Sequence, residues 1–394
     1  MKVLVIGGTG QTGPMVIQGL VDRGHDVTIL HSGRHEPPLP PIEHIHADAH
    51  FAEPLEEALR DRTFDVAICM YGRAQVVADV LRGKVGRVIS ISGARYYYGR
   101  PDDPRWGPIG AWVANEESPF SDDAGIDRLG QRVYSTEQTI MAHQVAGEFD
   151  VTILRFPGIY GPASILPADW GFVRRILDGR TSLLMPDGGL MLRSRVYRDN
   201  AAHAVLLATE HTEAARGEIF NVADEPPELS LGQTVLATAR ALGREVEFVD
   251  CPGWLGYRIY GGQIGFHRVL DTSKIRERLG YRDKVPLLDA LAQTATWWRD
   301  NPPERGGEVE QKLGDAFDYE IEDRLIKRLL KAAAELDEVA SHVTQSAHPF
   351  RHPKQEGQAW TKDTSAKLMN SPFRYPYVLS TPDRSASSAE SACL

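Results

Sequence analysis

Cysteine is scarce in this chain. Cys69, Cys251 and Cys393 are an odd number at wide spacing, which gives no disulfide framework and no paired zinc-ligand pattern. A reducing, cytoplasmic setting is therefore expected. Long apolar runs are also missing: no stretch reaches the roughly 18 residues that a membrane-spanning helix needs. The opening residues, MKVLVIGGTG, lack the apolar stretch and small-residue cleavage site of a secretory signal. No basic run occurs and the net charge is −10, which argues against a general nucleic-acid binder.

What is present reads as an ordinary globular composition, 42% apolar and 25% charged over 394 residues. Such a length can bury a large core and hold two or three domains. Lys2–Ile6 is a short apolar run of the buried-strand type, followed by helical spacing from Thr12 to Arg23 and a closing Gly24. Further strands are expected at Val27–Leu30, His44–Asp48, Val66–Met70 and Val88–Ser92, with a short helix at Leu55–Leu59. This alternation predicts a doubly wound α/β fold with a parallel sheet. From Arg95 to Ile126 the pattern dissolves into prolines, glycines and tryptophans. A helix then runs over Asp127–Glu148, and Val151–Arg155 is the next strand.

Shorter elements follow, including a helix at Leu231–Leu242 and a strand at Val246–Val249. Three regions result: a dinucleotide-binding Rossmann domain at 1–160, its sheet also completed by later segments; a smaller substrate-binding region at 161–300; and an extension at 301–394. The extension carries one amphipathic helix, with Ile321, Leu325, Leu329, Leu336 and Val339 expected on one face. Its Ser/Ala-rich end has the composition of a disordered segment.

The strongest motif is Gly7-Gly8-Thr9-Gly10-Gln11-Thr12-Gly13, between the first strand and the first helix. Glycines at 7, 10 and 13 permit a tight turn and close approach of the backbone to a pyrophosphate, with the helix amides and dipole facing its charge. Gly7, Thr9, Gly10, Gln11, Thr12 and Gly13 are accordingly expected to hold a dinucleotide. At the end of the second strand an acidic residue would bind the ribose hydroxyls of NAD(H). The chain reads Leu30-His31-Ser32-Gly33-Arg34 there, with no carboxylate before Glu36. Arg34 and Ser32 can instead hold a 2′-phosphate, so NADP(H) is favoured over NAD(H).

Several segments then resemble the extended short-chain dehydrogenase/reductases, the family that includes sugar-nucleotide epimerases and dehydratases. Asp48-Ala49 lies where members contact adenine. Ser90–Ala94 with Tyr98-Gly99 resembles the strand that supplies a catalytic Ser or Thr. Thr152–Pro162, containing Phe156 and Pro157, is similar to the segment beside the nicotinamide. Val196–Ala202, Phe220–Val222, Asp271–Lys274, Leu279–Tyr281 and Trp297 match later landmarks in order, so that the resemblance covers about residues 1–300. Family members often pair through two long helices, here Arg73–Arg82 and Asp127–Glu148, and a homodimer is the expected assembly.

One departure stands out. The family's catalytic helix carries Tyr-x-x-x-Lys, and aligning Gly130 and Glu137 puts Leu129 and Val133 at those positions. A competing register uses Tyr134 as the tyrosine, with Gln138 in place of the lysine. Leucine cannot transfer a proton and valine carries no charge, so oxidation of an alcohol loses its base. Reduction of a carbonyl demands less, provided another group stabilises the developing oxyanion. The expectation is therefore an NADPH-dependent reductase acting on a hydrophobic small molecule. Ser92, Tyr97 and Tyr134 are the candidate catalytic hydroxyls. A sugar-nucleotide epimerase or dehydratase and a non-catalytic nucleotide-binding sensor are the alternatives. No metal is expected: His44 and His46 share one face of a strand, but neither this pair nor His348 and His352 has a third ligand at a convincing spacing.

Overall fold

The computed structural model describes residues 1–70, 74–94, 113–118, 128–165, 167–226, 228–260, 267–342 and 356–357. The first half runs β1 (Lys2–Ile6), α1 (Gly13–Asp22), β2 (Asp26–His31), β3 (Glu43–His46), α2 (Ala52–Ala58), β4 (Phe64–Cys69), α3 (Ala74–Val80), β5 (Val85–Gly93), β6 (Val113–Ala114) and α4 (Arg128–Val145). Next come β7 (Asp150–Phe156), β8 (Gly158–Tyr160), α5 (Trp170–Leu177), β9 (Ser182–Pro186), β10 (Arg195–Tyr197), α6 (Arg198–Glu210), α7 (Thr212–Ala215) and β11 (Glu218–Asn221). The chain continues through α8 (Leu231–Ala241), β12 (Glu247–Cys251), α9 (Gly253–Tyr260), β13 (Val269–Leu270), α10 (Ser273–Leu279), α11 (Leu287–Asp300), α12 (Glu308–Gln311) and α13 (Tyr319–Ala340).

Seven strands form one parallel sheet in the order β11-β7-β5-β4-β1-β2-β3. The expected doubly wound fold is what forms. Alternation along β1 shows why: Val3 and Val5 enter the layer under α1 and α6, while Leu4 and Ile6 enter the layer under α2, α3 and α4. Both faces are covered, so these strands read as continuous apolar runs. β1 and β4 diverge towards neighbours on opposite sides, and ligands in such sheets bind beyond the carboxyl ends near this reversal.

The later segments make small two-stranded sheets, β8 with β10, β9 with β12 and β6 with β13. β6 lies inside the stretch read as loop, because two residues pairing with a strand some 155 positions later leave no local pattern. The extension's helix also differs from its expected face. Leu325, Ile326 and Leu329 of α13 pack on the β9/β12 core, but Ile321, Leu336 and Val339 are exposed. A 22-residue helix is about 33 Å long and a five-residue strand only about 17 Å, so α13 runs past the surface it packs on. No helix among the described residues is long and apolar enough to cross a membrane.

Candidate functional site

The Gly7–Gly13 turn sits at the carboxyl end of β1 and feeds α1. Its closest approach is at Gly13, where an added Cβ would meet Gly8 O at 1.9 Å. Gly8, given no role by the motif spacing, has φ +75 and lies against Val5, so the turn needs glycine there as well. Gly7 is likewise left-handed, whereas Gly10 is not. The buried Thr12 hydroxyl at the head of α1 has no hydrogen-bond partner in the protein. An unpartnered buried hydroxyl at the head of a helix, beside a glycine cradle, fits a phosphate-bearing ligand.

The Gln11 side chain joins two parts of the site. Its amide donates to Ile159 O at 3.3 Å and accepts from Ile165 N at 3.1 Å, which ties the turn to the segment after β7. Phe156 and Pro157 are buried at the start of that segment, and Phe156 O accepts from Ala94 N across the sheet end. Ile165 lies over Gly10.

At the other end of the turn, Ser32, Gly33 and Arg34 follow β2 and are exposed. Asp48 accepts hydrogen bonds from the backbone and ring of His50, which hold its carboxyl below the usual range together with the nearby Arg34 charge. Ala49 is half-buried against the α2/α3 layer. The absence of a third histidine beside His44 and His46 does not hold in three dimensions. β2 and β3 are parallel neighbours with His31 across from His46, and one ring nitrogen from each of the three histidines lies within 4.8 Å of the others. Burial and the two neighbouring rings lower the pKa of His31.

The candidate hydroxyls divide. Ser92 donates to Glu137 Oε1 at 2.7 Å, and Arg155 grips the same carboxylate through Nε at 3.0 Å and Nη2 at 2.8 Å. The Ser92 hydroxyl is thus held by a buried ion pair at the carboxyl end of β5. Tyr134 is half-buried on α4. Tyr97 lies outside the described residues, as does the Leu129 side chain. Val133, one turn before Glu137, packs at the end of β5, with its Cγ2 3.7 Å from where a Gly93 Cβ would be.

A cavity of about 1080 Å³, counting its open mouth, begins at Gly158 and Ile159. Its walls are mainly apolar, with Phe172, Met191, Leu231 and Val235 among them, and Arg193 and Arg195 enter from the strand leading to α6. Arg195 pairs with Asp169 at 2.5 Å and lies 4.1 Å over the Tyr160 ring. Tyr160 in turn donates to Asp224 at 2.7 Å, and Asp224 also receives Tyr197 N and Asn200 Nδ2. Burial raises the Tyr160 and Asp224 pKa values. This network fixes the floor from which both arginines project. Composition revealed neither arginine, because their relation to the glycine-rich turn depends on a fold some 180 residues long.

Residues 130–223 match the profile of the NAD dependent epimerase/dehydratase family. The chain is similar to that family over this segment, which runs from α4 to just past β11. A dTDP-glucose 4,6-dehydratase of an Actinoplanes species is 29% identical over 245 residues, covering 60% of this chain and 67% of that protein. A UDP-D-apiose/UDP-D-xylose synthase of Arabidopsis thaliana is 33% identical over 148 residues, covering 36% and 38%. The chain thus spans between 38% and 67% of the length of these curated relatives. Among solved structures, UDP-glucose 4-epimerase of Thermotoga maritima with UDP-glucose shares the fold at a TM-score of 0.61 and 20% identity, over 77% of this chain and all of that one. UDP-glucuronic acid 4-epimerase of Bacillus cereus in complex with NAD does so at 0.57 and 19%, over 77% and 100%. These relatives are sugar-nucleotide enzymes, and they favour that alternative over reduction of a hydrophobic carbonyl.

Proposed function

We propose that the chain holds a nicotinamide dinucleotide at the Gly7–Gly13 turn and acts as an epimerase- or dehydratase-type enzyme on a sugar nucleotide in the adjoining cavity. The observation that carries this reading is the placing of Arg193 and Arg195 in a mainly apolar cavity, with Asp169 and Asp315 also in its wall, that starts at Ile159, the residue clasped to the turn by Gln11. An apolar wall suits a base and the Arg193 guanidinium suits a diphosphate, while Arg195 is held beside it by Asp169. When bound, the nicotinamide supplies hydride exchange. The chain's own residues orient the substrate, and the apolar walls keep water from it.

Val133 cannot move a proton, which leaves the Tyr134 hydroxyl, next to it on α4, as a candidate for that step. Among the cofactors, Ser32 and Arg34 support NADP(H), while the NAD complexes of the relatives support NAD(H). A non-catalytic nucleotide-binding role is the second reading, favoured by the apolar Val133.

The test begins by denaturing purified protein and identifying any released nucleotide. Protein loaded with that cofactor is then incubated with UDP- and dTDP-hexoses and the products are separated by chromatography. Turnover of a nucleotide sugar is expected, with Arg193→Ala raising KM at least tenfold and leaving dinucleotide affinity unchanged. Cofactor binding without turnover of, or saturable binding to, any nucleotide sugar would leave the second reading.

A further inference from the structure

We propose that His31, His44 and His46, with Glu36, form a binding site for a zinc-class divalent metal ion. The site lies at the free edge of the sheet, apart from the substrate cavity. Parallel pairing sets His31 of β2 across from His46 of β3, and the two-residue period of β3 puts His44 on the same face. Three imidazoles from two neighbouring strands therefore converge on one point. His31 is buried and held by the sheet, while His44 and His46 are exposed and give an ion a path of entry.

The spacing suits a tetrahedral ion. Ligand atoms at about 2.0–2.1 Å from such a centre lie about 3.3–3.4 Å apart. His31 Nε2 is 3.0 Å from His44 Nδ1, and Glu36 Oε1 is 3.3 Å from His46 Nε2. Both separations are close to that length, and one ligand atom from each of the three histidines lies within 4.8 Å of the others. No ring pair is stacked; interplanar angles are 76°, 86° and 79°, as for rings set around a centre. Three neutral imidazoles and one carboxylate form a donor set of the borderline type that zinc prefers over magnesium or calcium.

Two local changes accompany binding: the hydrogen bond between His31 Nε2 and His44 Nδ1 gives way to the ion, and the Gly33 amide moves. Gly33 N donates to His31 Nδ1 at 3.2 Å. A neutral His31 that binds metal through Nε2 carries its proton on Nδ1, so the Gly33 amide must turn away. Gly33 has φ +73 in an exposed turn, with only the edge of His46 near its Cβ position, which leaves room for that movement.

The experiment uses the tag-free, full-length protein after dialysis against chelator. Zinc chloride is titrated calorimetrically, and cobalt(II) is followed by its visible spectrum. We expect saturation near one ion per chain and the intense absorption of tetrahedral cobalt. His44→Ala and His46→Ala, both at exposed positions, should each weaken zinc binding at least tenfold. His35→Ala and His211→Ala, exposed histidines outside the cluster, should leave it unchanged. Absence of saturable binding, or equal binding by the His44 and His46 variants, would overturn the assignment. Neither readout depends on turnover, so the result is independent of the proposed sugar-nucleotide activity.

Discussion

Gly13 illustrates a residue whose role could be read before any fold was known. The motif needs strand, turn and helix in direct succession, and all three are local in sequence. A Cβ there would meet the Gly8 carbonyl oxygen at 1.9 Å, and backbone on both sides leaves nowhere to move. Gly13→Ala should therefore cost about 1–3 kcal/mol, as overpacking does, and should weaken dinucleotide binding at least tenfold. Thermal melting and fluorescence titration with NADPH would measure the two effects. His31 illustrates the opposite case. Its partners are 13 and 15 positions away, and only the register of β2 against β3 brings them together. Arg34 stands between these cases, since its place after β2 was legible but its ligand is a matter for measurement. If it holds a 2′-phosphate, losing a charge-assisted hydrogen bond costs about 1.5–3 kcal/mol. Arg34→Glu should then lower NADPH affinity about tenfold to a hundredfold while NADH affinity holds or improves. Equal loss for both cofactors would remove the selective role.

Among the elements, those with a strong period were legible and those defined by partners were not. β1 and α1 declare themselves through apolar runs and spacing, whereas β6 exists through its pairing with β13. The spacing of α4 put Val133 and Glu137 one turn apart, but nothing local gave a sign that Arg155 and Ser92 would both meet Glu137. The three-way bond locks α4 to the ends of β5 and β7, with Glu137 and Arg155 both almost wholly inaccessible. Breaking one member of such a buried pair strands a charge, and the typical cost is about 3–5 kcal/mol. Glu137→Gln keeps the shape and removes the charge. It should shift the urea midpoint down by an amount near this range, while Ser92→Ala should cost only about 1 kcal/mol. A large loss of turnover in Ser92→Ala without loss of stability would instead give Ser92 a part in the chemistry.

At the scale of the whole molecule, the extension after residue 300 is fastened to the body by charge as much as by apolar packing. Arg175 of α5 is fully buried and is gripped from both sides: Asp315 accepts from Nη1 at 2.7 Å and from Nη2 at 3.0 Å, and Glu322 of α13 accepts from Nε and Nη2. No reading of local sequence pairs an arginine with carboxylates some 140 positions later. The charges are expensive to bury and are tolerated because each lone pair and proton finds a partner. Asp315 and Leu313 also line the cavity, so the clamp and the substrate wall share residues. Weakening the clamp should consequently affect stability and substrate affinity together, while the glycine-rich turn is left alone. Glu322→Gln leaves Asp315 as the one carboxylate for a guanidinium that had two, and should destabilise by about 3 kcal/mol or more. Urea unfolding followed by tryptophan fluorescence would report this through Trp170 and Trp298, which lie in the cluster beside the clamp. Dinucleotide affinity should stay within twofold of the unaltered chain. If stability were unchanged, Asp315 alone would be holding Arg175, and the anchorage of α13 would rest on Leu325, Ile326 and Leu329.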